Sequence, residues 1–274
     1  RPSRATCRSL YAPSPVSRAR RTVPPARCNL RRCGPPIRLR GTAYRYVLTL
    51  EPSGTPWLPA LEMPSRTPVG SARLPSLELR AAGNIDHLRR DTFVSFPEFR
   101  ITAEHAATLT RNLQVPALSA RVRALARSWR TVASTDREVV SAALRHFTRE
   151  PFVYTLNPAA LGADPIDEFL FETRRGFCEH YAAAFTLLMR AAGIPARVVT
   201  GYQGGELNAV GDYLVVRQSD AHAWSEVWLT DNGWTRIDPT AAVAPDRIER
   251  QIDPAWAGNG VAVRFRFDDA DMVA

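Results

Sequence analysis

Tyr44, Tyr46, Leu48 and Leu50 interleave with Arg45, Val47 and Thr49, a period of two that predicts a half-buried strand. Prolines at 52, 56, 59, 64 and 68 punctuate the next stretch, and short β-like runs recur near 76–80 and 92–96. Residues 41–100 therefore read as a small antiparallel β unit with no chemical motif of its own. Past residue 100 the period changes. Over 119–133, Val122, Leu125, Ala126 and Trp129 recur at spacings of three and four, which predicts a helix. Thr135 followed by Glu138 is a capping box, Val139, Val140, Ala143, Leu144 and Phe147 form the stripe behind it, and Pro151 ends it.

After a loop with Tyr154, Asn157 and Pro158, the run 166–171 leads to the strongest helical pattern, at 179–192. It carries Tyr181, Ala184, Phe185, Leu188 and Met189 on one face and is closed by Gly193 and Pro195. Strands are predicted at 197–202 and 213–217 around a glycine-rich turn, then at 221–229 and 234–237, joined at Asp231-Asn232-Gly233, a hairpin signal. Helices followed by antiparallel strands make the fold class α+β.

Composition adds one sharp division. Residues 1–40 hold 11 Arg, seven Pro and no acid, whereas the remaining 234 hold 25 Arg against 27 acids, so the net +9 belongs to the first segment. That segment is expected to be a disordered Arg/Pro-rich tail. Two readings of it are open: a basic arm beside an anionic membrane, or a stretch foreign to the native protein, which the abrupt change at 40–41 favours. The body has no interleaved basic and aromatic patch, so nucleic acid is not an expected partner. No run of 18 apolar residues is present, so no membrane-spanning helix is expected within the chain. The implied domain boundaries are 1–40, 41–100, 101–250 for the chemistry-bearing domain, and a C-terminal tail at 251–274.

Three of the four cysteines (Cys7, Cys28, Cys33) fall in the basic segment at spacings that match no zinc pattern. Cys178 is alone in the body and sits where the helix begins, so unsatisfied amides of the first turn favour its thiolate. Gly176, two residues earlier, is expected to leave room for a substrate backbone. His222 lies 44 residues after Cys178 on a predicted strand, sharing a face with Trp224, Glu226 and Trp228. Asp238 comes 16 residues later at a strand end, before Pro239. Thiol, imidazole and carboxylate in that order can serve as nucleophile, base and orienting group. Asp238 is equally explained by Asp-Pro turn chemistry. His180 is expected in a supporting or surface position. No HExxH or CxxC spacing points to a metal, and this chemistry calls for no cofactor.

The segments GFCEHYAAAF, AHAWSEVW and WTRIDPT resemble the three motifs of the bacterial transglutaminase-like superfamily. The longer stretches FLFETRRGFCEHYAAAFTLLMRAAGIPARVVTGYQGGE and GWTRIDPTAAVAPDRIE are similar to its TgpA-type, membrane-anchored members. The resemblance is dense over about 150–250 and does not reach 1–40. It implies a papain-like core, a Cys-led helix packed on an antiparallel sheet, with Cys178 as nucleophile, His222 as general base and acid, and Asp238 as orienting carboxylate. It further implies acyl transfer from a glutamine-type carboxamide to a primary amine or water. It also implies an ectodomain on the periplasmic or extracytoplasmic face of a bacterial plasma membrane. A cysteine peptidase or amidase acting on cell-wall peptides, and a non-catalytic binding module on the same fold, are the alternatives. The chain has no lysine, so an amine acceptor on a lysine side chain must come from elsewhere.

Overall fold

The strand Tyr44–Leu50 buries Tyr46, Leu48 and Leu50, as its alternation predicts. It is one of five strands of an antiparallel sheet in the computed structural model, which describes residues 6–7, 35–208, 210–211, 213–245 and 263–267. The order across that sheet is Glu206–Asn208, Tyr213–Val216, Val263–Phe267, Tyr44–Leu50, Arg89–Ser95. Tyr46 stands opposite Phe93 in the ladder, and the two rings stack at 5.4 Å, an aromatic cross-strand pair. The Tyr46 hydroxyl accepts the Leu61 amide hydrogen at 2.9 Å and meets Ser95 Oγ at 3.1 Å, so the buried phenol is satisfied. Leu58, Leu61, Leu79, Ile85 and Val216 complete this core.

Contact density divides the chain into two units. The first joins the described residues up to Thr102 with Thr200–Ala221 and the strand Val263–Phe267; the second joins Ala103–Val199 with the described residues 222–245. Two features of the first unit depart from the sequence reading. Val263–Phe267, inside the segment read as a C-terminal tail, pairs with Tyr44–Leu50 on one side and Tyr213–Val216 on the other. Ile37–Arg40, inside the segment read as disordered, pairs antiparallel with Glu98–Ile101, and Thr6–Cys7 is also a strand. VRFRF and IRLR both alternate apolar residues with arginine, so each carries a period of two in four or five residues. The partner that makes such a short run a strand is far away in sequence. The rest of 1–34 and of 246–274 lies outside the described residues.

In the second unit the helix Ala120–Val132 starts at Ser119, whose Oγ accepts from the Val122 amide at 3.2 Å. The helix Asp136–Arg149 opens with the capping box read from sequence: Glu138 N–H donates to Thr135 Oγ1, and Thr135 N–H to Glu138 Oε2, both at 3.3 Å. Val122, Ala126, Val139, Ala143 and Phe147 meet Tyr181, Phe185, Leu188 and Met189 of the helix Cys178–Ala191. Each large apolar side chain buried this way contributes about 1.5–3 kcal/mol. Leu125, Trp129 and Leu144, expected in the stripes, are only partly buried at the edge of this cluster. Gly193 at φ +83° ends the third helix, and Ile194 N–H returns to Met189 C=O at 2.9 Å. Ala196–Tyr202, Ala221–Leu229 and Gly233–Ile237 lie side by side in that order. Gly233 at φ +78° closes the hairpin with Leu229 opposite it.

Candidate active site

The peptide that leads into Cys178 is held from both sides. Pro165–Glu168 opens a helix that widens into a π-turn over Phe169–Thr173, a five-residue hydrogen-bond spacing that often marks functional positions. Arg174 leaves it in the left-handed region (φ +50°), its N–H donating to Phe169 C=O at 3.0 Å. Arg121 fixes the start of this segment by bonding Asp167 from Nε at 2.7 Å and Glu172 from Nη2 at 2.6 Å. Arg175–Gly176 then pairs parallel with Val153–Tyr154, through Val153 N–H to Arg174 C=O and Thr155 N–H to Gly176 C=O, both 2.8 Å. The sequence pattern marks 166–171 only as a lead-in and shows none of these supports.

Cys178 is the first residue of its helix, whose first bonds run from the His180 and Tyr181 amides to Phe177 C=O, and is 7% exposed among Ala182 and Ala223, with Phe177 and Val198 beside them. The helix is anchored to the strand Ala221–Leu229 through Ser225 Oγ, which donates to Ala182 C=O at 3.1 Å and meets Thr186 Oγ1 at 3.0 Å. That contact explains why Ala182 and Thr186, off the predicted apolar face, are also buried. His180 is half-buried: its Nδ1 accepts the Phe177 N–H at 3.4 Å, and its ring packs on Phe177 and Phe169. Burial holds its pKa below the ordinary imidazole value, against the charge of Glu179. A Cβ on Gly176 would lie 2.7 Å from His180 Cβ and 3.0 Å from Phe169 Cε2. The glycine is thus required by the packing of His180 and Phe169, and the space expected for a substrate backbone is filled by these side chains.

His222 is on the second strand, 7% exposed, its ring stacked on Trp224 two residues later (6.3 Å, 22°). Its Nε2 is 2.7 Å from Asp238 Oδ2. Asp238 Oδ1 accepts the Thr240 N–H at 3.1 Å. The Asp-Pro turn and the imidazole partnership are therefore both realised, one on each carboxylate oxygen. Burial is the largest influence on His222 and pushes its pKa down. Hydrogen bonds to Asp238 and Cys178, with their charges, outweigh it and raise the value to about 9. Of the three residues singled out from sequence, His222 and Asp238 are joined by this hydrogen bond, and Cys178 is among the groups that act on the His222 ring.

The strand face next to the His222–Asp238 pair carries two further groups. Arg236 Nη2 is 3.7 Å from Asp238 Oδ2, and its guanidinium lies 4.2 Å above the Trp224 ring. Arg197 pairs with Glu226 at 2.6 Å and lies 4.1 Å above Trp234. Trp224 is fully buried, Trp234 nearly so and Trp228 half-buried, which makes them packing residues. Among the described residues no cluster of three or more His, Cys, Asp or Glu forms a metal site, and no helix is long and apolar enough to cross a membrane.

Comparison with known proteins gives this geometry a context. The transglutaminase-like superfamily pattern matches residues 123–239. A protein-glutamine gamma-glutamyltransferase of Pseudomonas aeruginosa is 45% identical over 222 residues, covering 80% of this chain and 33% of its own length. The uncharacterized protein YebA of Bacillus subtilis is 34% identical over 149 residues, 52% of this chain and 20% of its own. The chain spans about a third of the length of the first relative and a fifth of the second. Among solved structures, the periplasmic domain of TgpA from Pseudomonas aeruginosa bound to ethylmercury superposes with a TM-score of 0.76 at 44% identity. That match covers 79% of this chain and 78% of the other.

Proposed function

Because the chain belongs to the transglutaminase-like superfamily, we propose that it transfers the acyl group of a glutamine-type carboxamide through a thioester on Cys178. The observation that carries this reading is His222, whose Nε2 meets Asp238 Oδ2 at 2.7 Å and whose pKa is raised to about 9 by Asp238 and Cys178 against the effect of burial. Near neutral pH the ring is an imidazolium, the neighbour that stabilises a thiolate. The Cys178 sulfur attacks the carboxamide carbon, and the carbonyl electrons move to oxygen. The amide of Cys178, at the positive end of its helix, is a suitable donor for that oxyanion. On collapse the C–N bond breaks and ammonia departs with the proton from His222, leaving the thioester. A primary amine, or water, then loses its proton to His222 and attacks the thioester carbon. Cys178 departs as thiolate, giving an amide or an acid. Asp238 keeps the proton of the neutral ring on Nε2, so that Nδ1 faces the sulfur as a base.

The substrate in this reading is a protein or peptide bearing glutamine, in keeping with the name of the Pseudomonas relative. The same reading puts the domain on the periplasmic side of a membrane-anchored parent, supported by its likeness to a periplasmic domain. The test monitors ammonia release and incorporation of a fluorescent primary amine into a glutamine-rich protein, for wild type and Cys178→Ala, without added calcium. Incorporation that is lost in the variant supports transamidation. Ammonia alone assigns a deamidase, and cleavage of peptide bonds a peptidase. Absence of all three from folded wild type refutes acyl transfer and leaves a binding module.

A further inference from the structure

Two guanidinium–indole stacks lie on the sheet face that carries His222. The hairpin register sets Arg236 opposite Glu226 and Trp234 opposite Trp228, so these side chains share a face with Trp224 and His222. The first stack, Arg197 on Trp234, is closed off by Glu226 in a pair only 9% and 6% exposed. The second ends at the site. Arg236 lies over Trp224, which itself stacks on His222, and its Nη2 approaches the same Asp238 oxygen that faces His222 Nε2. Asp238 is therefore bounded on three sides: the Thr240 N–H at Oδ1, His222 at Oδ2, and the Arg236 cation beyond Oδ2.

We propose that Arg236 is a positioning residue for the acyl transfer, holding the Asp238 carboxylate in the rotation that aims Oδ2 at the His222 ring. The proposal rests on the acyl-transfer reading above. The terminal torsion of an aspartate is soft and roughly two-fold, so one backbone N–H on Oδ1 constrains it weakly. At 3.7 Å Arg236 is outside hydrogen-bond range, so it acts as a charge, directly or through a bridging water. What makes that charge directional is its placement: the planar cation, its side chain 34% exposed, lies stacked on a fully buried indole. The ring that faces Cys178 is thus oriented by a chain running Trp224, Arg236, Asp238, His222.

Two variants of the full chain test this, with Cys178→Ala as the blank. Arg236→Met keeps an apolar stem over Trp224 and deletes the charge; Arg236→Lys restores a charge without the planar fork. Arg236→Met is expected to lower kcat by about ten- to a hundredfold, with KM within about twofold of wild type, and Arg236→Lys to recover part of the loss. Wild-type kcat in Arg236→Met overturns the proposal, as does equal impairment of both variants, which would mark packing on Trp224 as the role. The low-field proton resonance of the His222–Asp238 hydrogen bond gives a readout independent of turnover. Arg236→Met should broaden or shift it, and an unchanged resonance overturns the proposal. Absence of Cys178-dependent turnover in wild type would instead refute the acyl-transfer reading, a result visible without any Arg236 variant.

Discussion

Asp238→Asn isolates the carboxylate to which the proposed mechanism gives the orienting role, and its outcome is set by the groups that hold it. An asparagine must choose which oxygen contact to keep. The Thr240 N–H that now donates to Oδ1 at 3.1 Å needs an acceptor, so the carboxamide oxygen is drawn there and its NH2 is turned toward His222 Nε2. An NH2 at Nε2 makes that nitrogen the acceptor and moves the ring proton to Nδ1, facing the sulfur, where no base remains. The working tautomer requires the flipped amide, which leaves the Thr240 N–H without a partner and costs about 1–3 kcal/mol. Loss of the charge-assisted bond to the imidazolium adds about 1–1.5 kcal/mol. Together these lower kcat by about 30- to 1,500-fold, at roughly a decade per 1.4 kcal/mol. The assay is steady-state ammonia release from a glutamine peptide, with circular dichroism and thermal melting to show that the variant folds. A folded Asp238→Asn protein within about threefold of wild-type kcat would refute the reasoning and remove Asp238 from the mechanism.

Gly176→Ala forces a methyl against His180 and Phe169 at 2.7–3.0 Å; it should destabilise the fold by about 1–3 kcal/mol in urea titration and lower kcat, because the displaced peptide leads directly into Cys178. Glu226→Ala leaves Arg197 buried without its carboxylate, and should lower stability by about 3–5 kcal/mol; a change under about 1 kcal/mol would mean the pair behaves as an exposed one. The His222 pKa lies above its ordinary value, so the native state binds the proton more tightly than the unfolded chain. The resulting stability is fully present below pH 6.5 and is lost as pH rises through about 9. It is on the order of 3 kcal/mol. Unfolding midpoints of wild type and His222→Gln should therefore converge between pH 6 and about 9.5, and parallel curves would contradict it.

Features whose physics is local are readable in the sequence. Thr135 and Glu138 satisfy each other within one turn, Gly193 supplies the left-handed residue that ends a helix, and Gly233 turns a hairpin; each needs only its neighbours. The places of Cys178 at a helix start, His222 within a strand and Asp238 at a strand end are readable because patterning marks those positions. Features that depend on a distant partner stay hidden. Val153–Tyr154 is a strand because Arg175–Gly176 lies beside it, and Ile37–Arg40 because Glu98–Ile101 does. The π-turn at Phe169–Thr173 looks like ordinary helix in a hydrophobicity pattern. Gly176 misleads for a related reason: an empty Cα suggests room, whereas the filler, His180, comes from one helical turn later. The placement of Arg236 has a signal in WTRIDPT, since residues two apart on a strand share a face, but the indole beneath it comes from the neighbouring strand.

The strand Val263–Phe267 lies between Tyr44–Leu50 and Tyr213–Val216, although it is the last of the three to be translated. Synthesis proceeds at about 5–20 residues per second, so Tyr44–Leu50 emerges roughly 10–40 s before its inner neighbour exists. During that interval one edge of the strand presents an unpaired row of amides and carbonyls, the situation in which nascent sheets recruit wrong partners. Tyr213–Val216 waits in the same way for a much shorter time. The fold thus makes the first unit depend on a late stretch of the message: a ribosome that stalls soon after the Asp238 codon has already made Cys178, His222 and Asp238, yet leaves the five-stranded sheet open at its middle.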